Sequence, residues 1–152
     1  MQKHHWTQVS EIELVYRSKI KAAERPAVKT SREAYQLLIR EWDLDKIELL
    51  EQFKVLFLNQ SNRVLGLLNV SSGGMTSTVA DPRLIFSAAL KAAACSLVLS
   101  HSHPSGNLKP SKNDEDLTRK MRESGKFLDI ALLDHLILTR SGYFSFADEG
   151  LL

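Results

Sequence analysis

The stretch of this sequence with the clearest chemical potential runs from His101 to Asp114. It begins with His101-Ser102-His103-Pro104, continues after six further residues with Ser111, and ends at Asp114. Two imidazoles, a hydroxyl and a carboxylate at this spacing predict a metal site in which one coordination position stays open. Because an open position admits water, the chemistry that follows is metal-assisted hydrolysis.

A strand must carry the two histidines. Residues 96–100 are a short apolar run that leads directly into His101, and Pro104 closes it, so we predict a buried strand. Side chains alternate sides along a strand, so His101 and His103 share one face. Residues 105–107 then turn the chain away from the end of the sheet.

A helix that begins at Pro110-Ser111 places Asp114 in its first turn, and this start has a simpler explanation. Ser-x-x-Asp before a helix is close to a capping box, and acidic residues such as Glu115 and Asp116 suit the positive helix start. For either residue alone, capping explains the pattern. The combination of His-x-His-Pro, a short Gly-containing loop and Ser-x-x-Asp favours the metal site.

Two neutral imidazoles and one carboxylate suit zinc in a catalytic site, where a fourth position is left for water. Cys95 is the only cysteine in the sequence, and we predict that it is a small core residue at the buried end of a helix. A thiolate metal site and a disulfide scaffold are therefore excluded, and a reducing compartment is favoured.

A hydrolytic metal site also needs a general base, and Glu51 is the candidate. It precedes residues 53–58, the strongest strand pattern in the chain, so its carboxylate can face the site from the mouth of that strand. Glu48 and Glu51 could instead be solvated charges that end a helix. Spacing alone does not separate Glu51 from Glu41, Asp45 or Glu48.

Taken together, Glu51, His101-Ser102-His103-Pro104, Ser111 and Asp114 resemble the JAMM motif of the MPN/JAB metallopeptidases. Within that superfamily the chain closely resembles the RadC-like JAB domain family. The stretches that carry the resemblance are Glu51 to Leu58, Asp81-Pro82-Arg83, His101 to Gly106, Pro110-Ser111, Leu133 to Ile137 and Phe144 to Leu152. They extend over most of the chain after Ser31.

The resemblance implies a role for each residue of the motif. His101, His103 and Asp114 would bind Zn²⁺, Glu51 would be the general acid/base, and Ser111 would donate to the oxyanion. It implies an α/β fold of the MPN/JAB type, also called cytidine-deaminase-like, with a mixed β-sheet flanked by helices. The implied reaction is amide or isopeptide hydrolysis on a peptide or protein substrate.

Two residues depart from the family pattern. Many RadC-like members have Asn where this chain has Ser102, and His where it has Asp81. We expect Ser102 to point away from the metal, and Asp81 to be a helix N-cap with Pro82 at the first helical position. We also expect no N-terminal helix-hairpin-helix region, which longer RadC-like proteins have, and this weakens the case for a DNA role.

Size and composition predict one compact domain. The chain has 152 residues, of which 43% are hydrophobic and 25% charged, as in ordinary globular proteins. We assign residues 1–30 to an N-terminal strand and extension, and residues 31–152 to the RadC-like domain. With no signal-peptide pattern and no apolar run near the ~20 residues that span a bilayer, we expect a cytoplasmic protein that does not contact membranes.

Charge gives DNA little support as a partner. The net charge of +2 and the pI near 8.7 are only mildly basic. Basic residues do cluster near the N-terminus, and we interpret them as a solvated edge strand rather than a phosphate-binding surface. They are Arg17, Lys19, Lys21, Arg25, Lys29 and Arg32. Residues 3–6 are expected to be a frayed terminus.

The remaining elements follow from periodicity and turn residues. We predict strands over residues 11–16, 53–59, 64–70, 130–139 and 143–146, and helices over residues 31–42, 81–94 and 114–124. Gly125 would end the last helix, and residues 71–74 would form a flexible loop beside the substrate groove.

Asp134 and His135 form a further polar pair within a predicted strand. Either could support the metal ligands from outside or contact a substrate, and a hydrogen-bonded structural pair is an equal alternative. Because the two residues are adjacent, they face opposite sides of the sheet. We therefore leave them out of the catalytic set.

Three classes of function stay open at this point. The first is a zinc-dependent peptidase or isopeptidase, the second is a DNA-repair or mobile-element factor that binds DNA or a protein, and the third is a scaffold that metal stabilises. A zinc deaminase is excluded, because the sequence lacks both His-x-Glu and Pro-Cys-x-x-Cys.

Overall fold

All of the predicted strands except the N-terminal one form one mixed sheet in the computed structural model, which describes residues 9–13, 15–73 and 80–152. Within these residues the strands are β1 (Gln52–Leu58), β2 (Val64–Ser72), β3 (Ser96–Ser102), β4 (Ala131–Thr139) and β5 (Gly142–Ser145). The α-helices are α1 (Ser31–Arg40), α2 (Pro82–Lys91) and α3 (Lys112–Phe127). No helix in the described ranges has the length and apolar character needed to cross a membrane.

The strand order is β2-β1-β3-β4-β5. Strand β1 is antiparallel to both of its neighbours, whereas β3 and β4 are parallel and are connected through α3. A parallel pair needs such a crossover, and here the crossover helix starts beside the end of β3. The mixed sheet flanked by helices confirms the predicted fold class.

Each face of the sheet buries its own apolar cluster. Helices α2 and α3 cover the face to which Phe53, Leu99 and Met121 contribute. Helix α1 covers the other face, with Leu38 and Val98 in its core. His101 and Leu99 are two residues apart on β3, so the first histidine lies on the α2/α3 face.

The hairpin of β1 and β2 confirms the prediction, except at its end. Strand β2 continues to Ser72, where we predicted a loop from Ser71 onward. Ser71 pairs with Phe53 and Ser72 with Gln52 across a register shift, so the serines extend the ladder instead of leaving it. Gly74, the last residue of the predicted loop, lies outside the described residues.

Helix α2 starts as predicted and ends early. Asp81 is the N-cap and accepts a hydrogen bond from Arg83 N, with Pro82 as the first helical residue. The helix ends at Lys91 rather than Ala94 because Ala93 adopts a positive φ of 54°. Cys95 therefore lies in the connection to β3, half-buried, where its N–H donates to Leu58 O at 2.9 Å. The prediction of a core cysteine at a helix end is wrong.

Helix α3 extends past Gly125 to Phe127, so the predicted stop at the glycine is also wrong. A Cβ on Gly125 would lie 2.2 Å from Ile130 O, which shows that the helix presses against the start of β4 at this position. The glycine permits close packing, and the positive φ falls at Asp129 instead.

The N-terminal strand prediction is wrong for the residues described. Residues 11–13, 15 and 16 have no strand assignment, and Ile12 is 87% exposed, so the alternating pattern buries no face. Tyr16 reaches β2 through its side chain, whose hydroxyl donates to Leu65 O. The basic segment likewise contains a 3-10 helix at Ala22–Glu24 and a single bridge from Ala27 to Arg63 rather than an edge strand.

Candidate metal centre

Four of the predicted site residues converge at the end of β3. The ligand atoms of Glu51, His101, His103 and Asp114 all lie within 4.8 Å of one another. His101 Nε2 is 3.0 Å from His103 Nε2 and 3.2 Å from Asp114 Oδ1. The sheet and α3 therefore bring together residues that are far apart in the sequence.

The two histidines are held in different ways. His101 is on β3, 1% exposed, with its ring stacked on Phe53 at a centroid distance of 5.8 Å. His103 follows the strand, and its backbone N–H donates to Leu138 O at 3.0 Å. Its ring Nδ1 donates to Asn107 O at 2.7 Å, which leaves Nε2 of a neutral ring as an acceptor that faces the cluster.

Asp114 both caps α3 and faces the histidines. Ser111 N donates to Asp114 Oδ2 at 2.7 Å, and Asp114 N donates to the Ser111 hydroxyl at 3.1 Å, which completes the capping box. Asp114 Oδ2 also lies 3.4 Å from His103 Nε2. Capping and convergence were alternative interpretations of the sequence, and the structure combines them.

Glu51 lies at the mouth of β1, with Oε1 4.0 Å from His101 Nε2. Burial raises the pKa of its carboxyl above the ordinary value, although the nearby His101 and His103 oppose the shift. The alternative Glu48 instead forms an exposed ion pair with Arg140. Among the described acidic residues that sequence spacing could not separate, only Glu51 belongs to the cluster.

The donor set fits a cation. Burial lowers the pKa of His103, but hydrogen bonds to Asp114 and Asn107 outweigh it and hold the pKa above its usual value. Asp114 shows the complementary effect, because burial raises the pKa of its carboxyl and the adjacent imidazoles of His101 and His103 lower it far more. The cluster thus attracts positive charge, and its nitrogen and oxygen ligands could hold a metal ion.

Comparison with known protein families gives a match over most of the chain. The model of the RadC-like JAB domain matches residues 28–151, which include every residue of the cluster. The chain belongs to the RadC-like JAB domain family.

Curated relatives of this RadC-like chain carry the name UPF0758 protein. One from Flavobacterium johnsoniae is 48% identical over 101 residues, or 66% of this chain and 44% of the relative. One from Symbiobacterium thermophilum is 40% identical over 68% of this chain and 44% of its own length. One from Clostridium botulinum is 36% identical over 87% of this chain and 57% of its own length. The RadC-like chain spans about half the length of the curated relatives it matches.

Sequence reasoning missed how Glu51 is held in this RadC-like domain. The side chain of Ser102 points away from the cluster, as predicted, and its hydroxyl accepts from Gln52 N at 3.0 Å and donates to Leu50 O at 3.2 Å. One buried hydroxyl thus binds the backbone on both sides of Glu51. No pattern in the sequence connects Ser102 with residues about 50 positions earlier.

His135 contacts the centre from outside. Its Nε2 lies 2.8 Å from His101 Nδ1, and its Nδ1 lies 2.6 Å from the hydroxyl oxygen of Thr118. Asp134 faces the opposite side of the sheet, where it accepts from the Ser145 hydroxyl at 2.6 Å. His135 therefore matches the predicted contact with a metal-ligand candidate, and Asp134 matches the alternative of a hydrogen-bonded structural residue. The sequence offered a signal for His135, since it is a histidine in a buried strand, and none for Thr118.

Proposed function

We propose that this RadC-like JAB domain is a zinc-dependent metallohydrolase of the JAMM type that cleaves peptide or isopeptide amide bonds in the cytoplasm. The observation that carries the proposal is the convergence of two imidazole nitrogens and a carboxylate, with a second carboxylate, Glu51, 4.0 Å from His101 Nε2. Three ligands and a separate base are what a catalytic zinc site requires.

The proposal gives His101, His103 and Asp114 the role of zinc ligands. Two imidazoles with one carboxylate are a donor set that zinc hydrolases use. His103 and Asp114 are partly exposed, so a fourth ligand could reach the ion from solvent. When bound, zinc lowers the pKa of a water molecule beside it to about 7 and polarises a substrate carbonyl.

Glu51 is the general acid/base in this proposal. It takes a proton from the water that attacks the carbonyl carbon. It then passes this proton to the nitrogen as the amide bond breaks, so that the amine leaves without a negative charge. The raised pKa of its half-buried carboxyl supports this role, because a base with a pKa closer to the working pH can both accept and release a proton.

Ser111 is the proposed donor to the carbonyl oxygen. Its oxygen accepts the capping bond from Asp114 N, which uses a lone pair and leaves its O–H proton available. Donation to the developing oxyanion would stabilise the transition state by about 3 kcal/mol, the usual cost of removing one such donor. Because Ser111 is bonded to Asp114, the proposed donor is fixed beside a proposed ligand.

The first test is the metal content of the purified full chain, prepared without chelator and measured by mass spectrometry. We expect one zinc per chain in the wild type and none in His101→Ala. Glu48→Gln is a matched control, since it removes a carboxylate three residues from Glu51 that pairs with Arg140 outside the cluster. Absence of stoichiometric zinc from the wild type would sink the proposal.

The second test is cleavage of a peptide library, with and without chelator. We expect cleavage that chelator abolishes, and that Glu51→Gln lowers by about 10²- to 10⁴-fold while zinc is retained. Glu48→Gln should cleave like the wild type.

Two other outcomes correspond to the other function classes. Bound zinc with no chelator-sensitive cleavage would favour a metal-stabilised scaffold. Binding to DNA with a steep dependence on salt would favour a DNA-associated factor.

A further inference from the structure

A chain of hydrogen bonds runs behind the metal centre, through two side chains that the proposed reaction does not use. His135 on β4 is 0% exposed and lies between His101 on β3 and Thr118 on α3. Its Nε2 is 2.8 Å from His101 Nδ1, and its Nδ1 is 2.6 Å from Thr118 Oγ1. Thr118 Oγ1 is in turn 2.6 Å from Asp114 O. This series of hydrogen bonds thus ends at the backbone of Asp114, another residue of the cluster.

The direction of these bonds follows from the single hydroxyl proton of Thr118. A backbone carbonyl can only accept, so Thr118 donates its proton to Asp114 O. The Thr118 oxygen must then accept in its contact with His135. The proton in that contact therefore belongs to Nδ1 of His135.

The proton position on His135 in turn determines the one on His101. No carboxylate contacts the fully buried ring of His135 among the described residues, so burial keeps the ring neutral. A neutral ring with its proton on Nδ1 can only accept at Nε2. His101 Nδ1 is consequently the donor to His135, and Nε2 of a neutral His101 has a free lone pair directed at His103 and Asp114.

Ring stacking keeps both imidazoles in this orientation. Phe53 stacks on His101 with an interplanar angle of 5°, and Phe146 stacks on His135 with an angle of 12° at a centroid distance of 4.8 Å. A ring flip at either histidine would exchange a nitrogen for a carbon in a buried contact, which leaves a polar partner unpaired.

We propose that Thr118 and His135 are positioning residues that hold His101 in the tautomer with the proton on Nδ1, so that Nε2 can bind a metal. Zinc ligands commonly need such an outer partner to fix the ring and its tautomer. This inference rests on the metal-binding part of the proposed function and does not depend on hydrolysis. Its distinctive element is Thr118, since the hydroxyl of one residue on α3 sets the proton positions of two histidines.

The direct test is ¹⁵N NMR of histidine-labelled full chain, metal-free and in mildly alkaline buffer. Nitrogen shifts distinguish the two neutral tautomers. We expect wild-type His101 to carry its proton on Nδ1. In Thr118→Val the hydroxyl is replaced by a methyl group of similar size, so His135 can protonate Nε2 instead, and we expect His101 to shift toward the Nε2–H tautomer.

Zinc affinity, measured by competition with a chromophoric chelator, gives a second readout. We expect Thr118→Val to weaken zinc binding by about 10- to 100-fold, the usual range for an outer-partner substitution. Thr118→Ser restores a hydroxyl and should bind zinc like the wild type. Thr139→Val is the control, because the Thr139 hydroxyl on β4 is also buried and donates to a backbone carbonyl, that of Gly142, rather than contacting a histidine.

The results separate this inference from the proposed function. An Nδ1–H tautomer that persists in Thr118→Val, or an equal loss of zinc affinity in Thr139→Val, overturns the positioning role. An Nε2–H tautomer in the wild type does the same. The NMR measurement requires neither zinc nor cleavage, so a wild type that binds zinc and hydrolyses nothing contradicts only the proposed reaction.

Discussion

Two adjacent residues of β4, Asp134 and His135, illustrate how differently the two faces of one sheet use buried polar groups. His135 lies on the α2/α3 face and contacts His101, a proposed zinc ligand. Asp134 lies on the α1 face, where its carboxylate accepts from the Ser145 hydroxyl, Ala147 N and His135 N. His135 thus contacts the cluster, whereas Asp134 holds the turn that follows β5.

The half-buried Asp114 and the buried Asp134 show the same contrast in their electrostatics. At Asp114 the effect of burial is overcome by the imidazoles, and the pKa falls well below the ordinary value. At Asp134 burial dominates over the hydrogen bonds from Ser145 and Ala147, and the pKa rises. Burial of a carboxylate is thus no sign of a metal site. What distinguishes the cluster is that several nitrogen and oxygen acceptors converge with few hydrogen-bond donors between them.

A large cavity does not mark the centre either. A cavity of about 400 Å³ lies on the α1 face, and its lining includes Asp134 and Asp148. Both carboxylates are already bonded within the protein, Asp148 to the Ser31 hydroxyl at 2.5 Å. The contrast therefore predicts that replacing Asp114 changes metal binding, whereas replacing Asp134 changes stability and leaves metal binding as it is.

The sharpest test of the contrast exchanges each aspartate for asparagine. Asp114→Asn keeps an oxygen for the helix cap and removes the charge, so we expect zinc binding to weaken by more than the roughly 100-fold that an outer partner can cost. Asp134→Asn puts an N–H₂ group against its donors, so we expect a loss of about 2 kcal/mol in the free energy of unfolding and unchanged zinc affinity. Urea unfolding and chelator competition measure the two quantities. Loss of zinc in Asp134→Asn would contradict the division between the faces.

Removal of zinc should abolish the stabilisation that metal binding gives, as Asp114→Asn does and Asp134→Asn does not. A ligand present at 100 times its Kd stabilises the native state by about 2.7 kcal/mol, so chelator should lower the wild-type Tm. Asp134→Asn should show the same chelator effect added to its own loss, because the two sites lie on opposite faces of the sheet. His101→Ala should show no chelator effect. Differential scanning calorimetry measures all three, and a chelator effect in His101→Ala would place the zinc elsewhere.

Gly125→Ala tests how closely α3 packs against the start of β4. The added Cβ would lie 2.2 Å from Ile130 O, and overpacking of this kind costs about 2 kcal/mol. Gly66→Ala is the control, since nothing lies within 4 Å of the added atom there. We expect urea unfolding to show a clear loss for the first variant and little change for the second. If Gly125→Ala also weakens zinc binding, the close packing of α3 at Gly125 contributes to the position of Asp114.

Local patterns in the sequence predicted His101, His103 and Asp114, whereas only the resemblance to the JAMM motif separated Glu51 from the acidic residues near it. The strand before His101, the proline after His103 and the capping box of Ser111 and Asp114 each depend on neighbours a few residues away. The supporting contacts join distant segments, since His101 and His135 have a sequence separation of 34 and Thr118 and His135 one of 17. Such pairs depend on register and helix docking, which local patterns do not encode.

The errors in the fold have the same origin. Gly125 matched a helix stop, but the contact with Ile130 O decided its use. Residues 11–16 alternate like a strand, but the described part of that segment reaches β2 through the Tyr16 hydroxyl instead of a ladder. In both cases the local signal was real, and a tertiary contact determined the outcome.

The smallest expected effect separates two buried serines of β3. Ser100 donates to Lys54 O at 2.8 Å, and Ser102 bonds the backbone on both sides of Glu51. Replacement of either by alanine should cost about 1 kcal/mol in the free energy of unfolding, because each removes a buried hydroxyl with its bonds. Only Ser102→Ala should lower kcat, by about tenfold, since a small displacement of Glu51 spoils proton transfer. Zinc content should stay unchanged in both. An equal fall in kcat for Ser100→Ala would mean that strand stability limits the reaction, and that the position of Glu51 does not depend on this one hydroxyl.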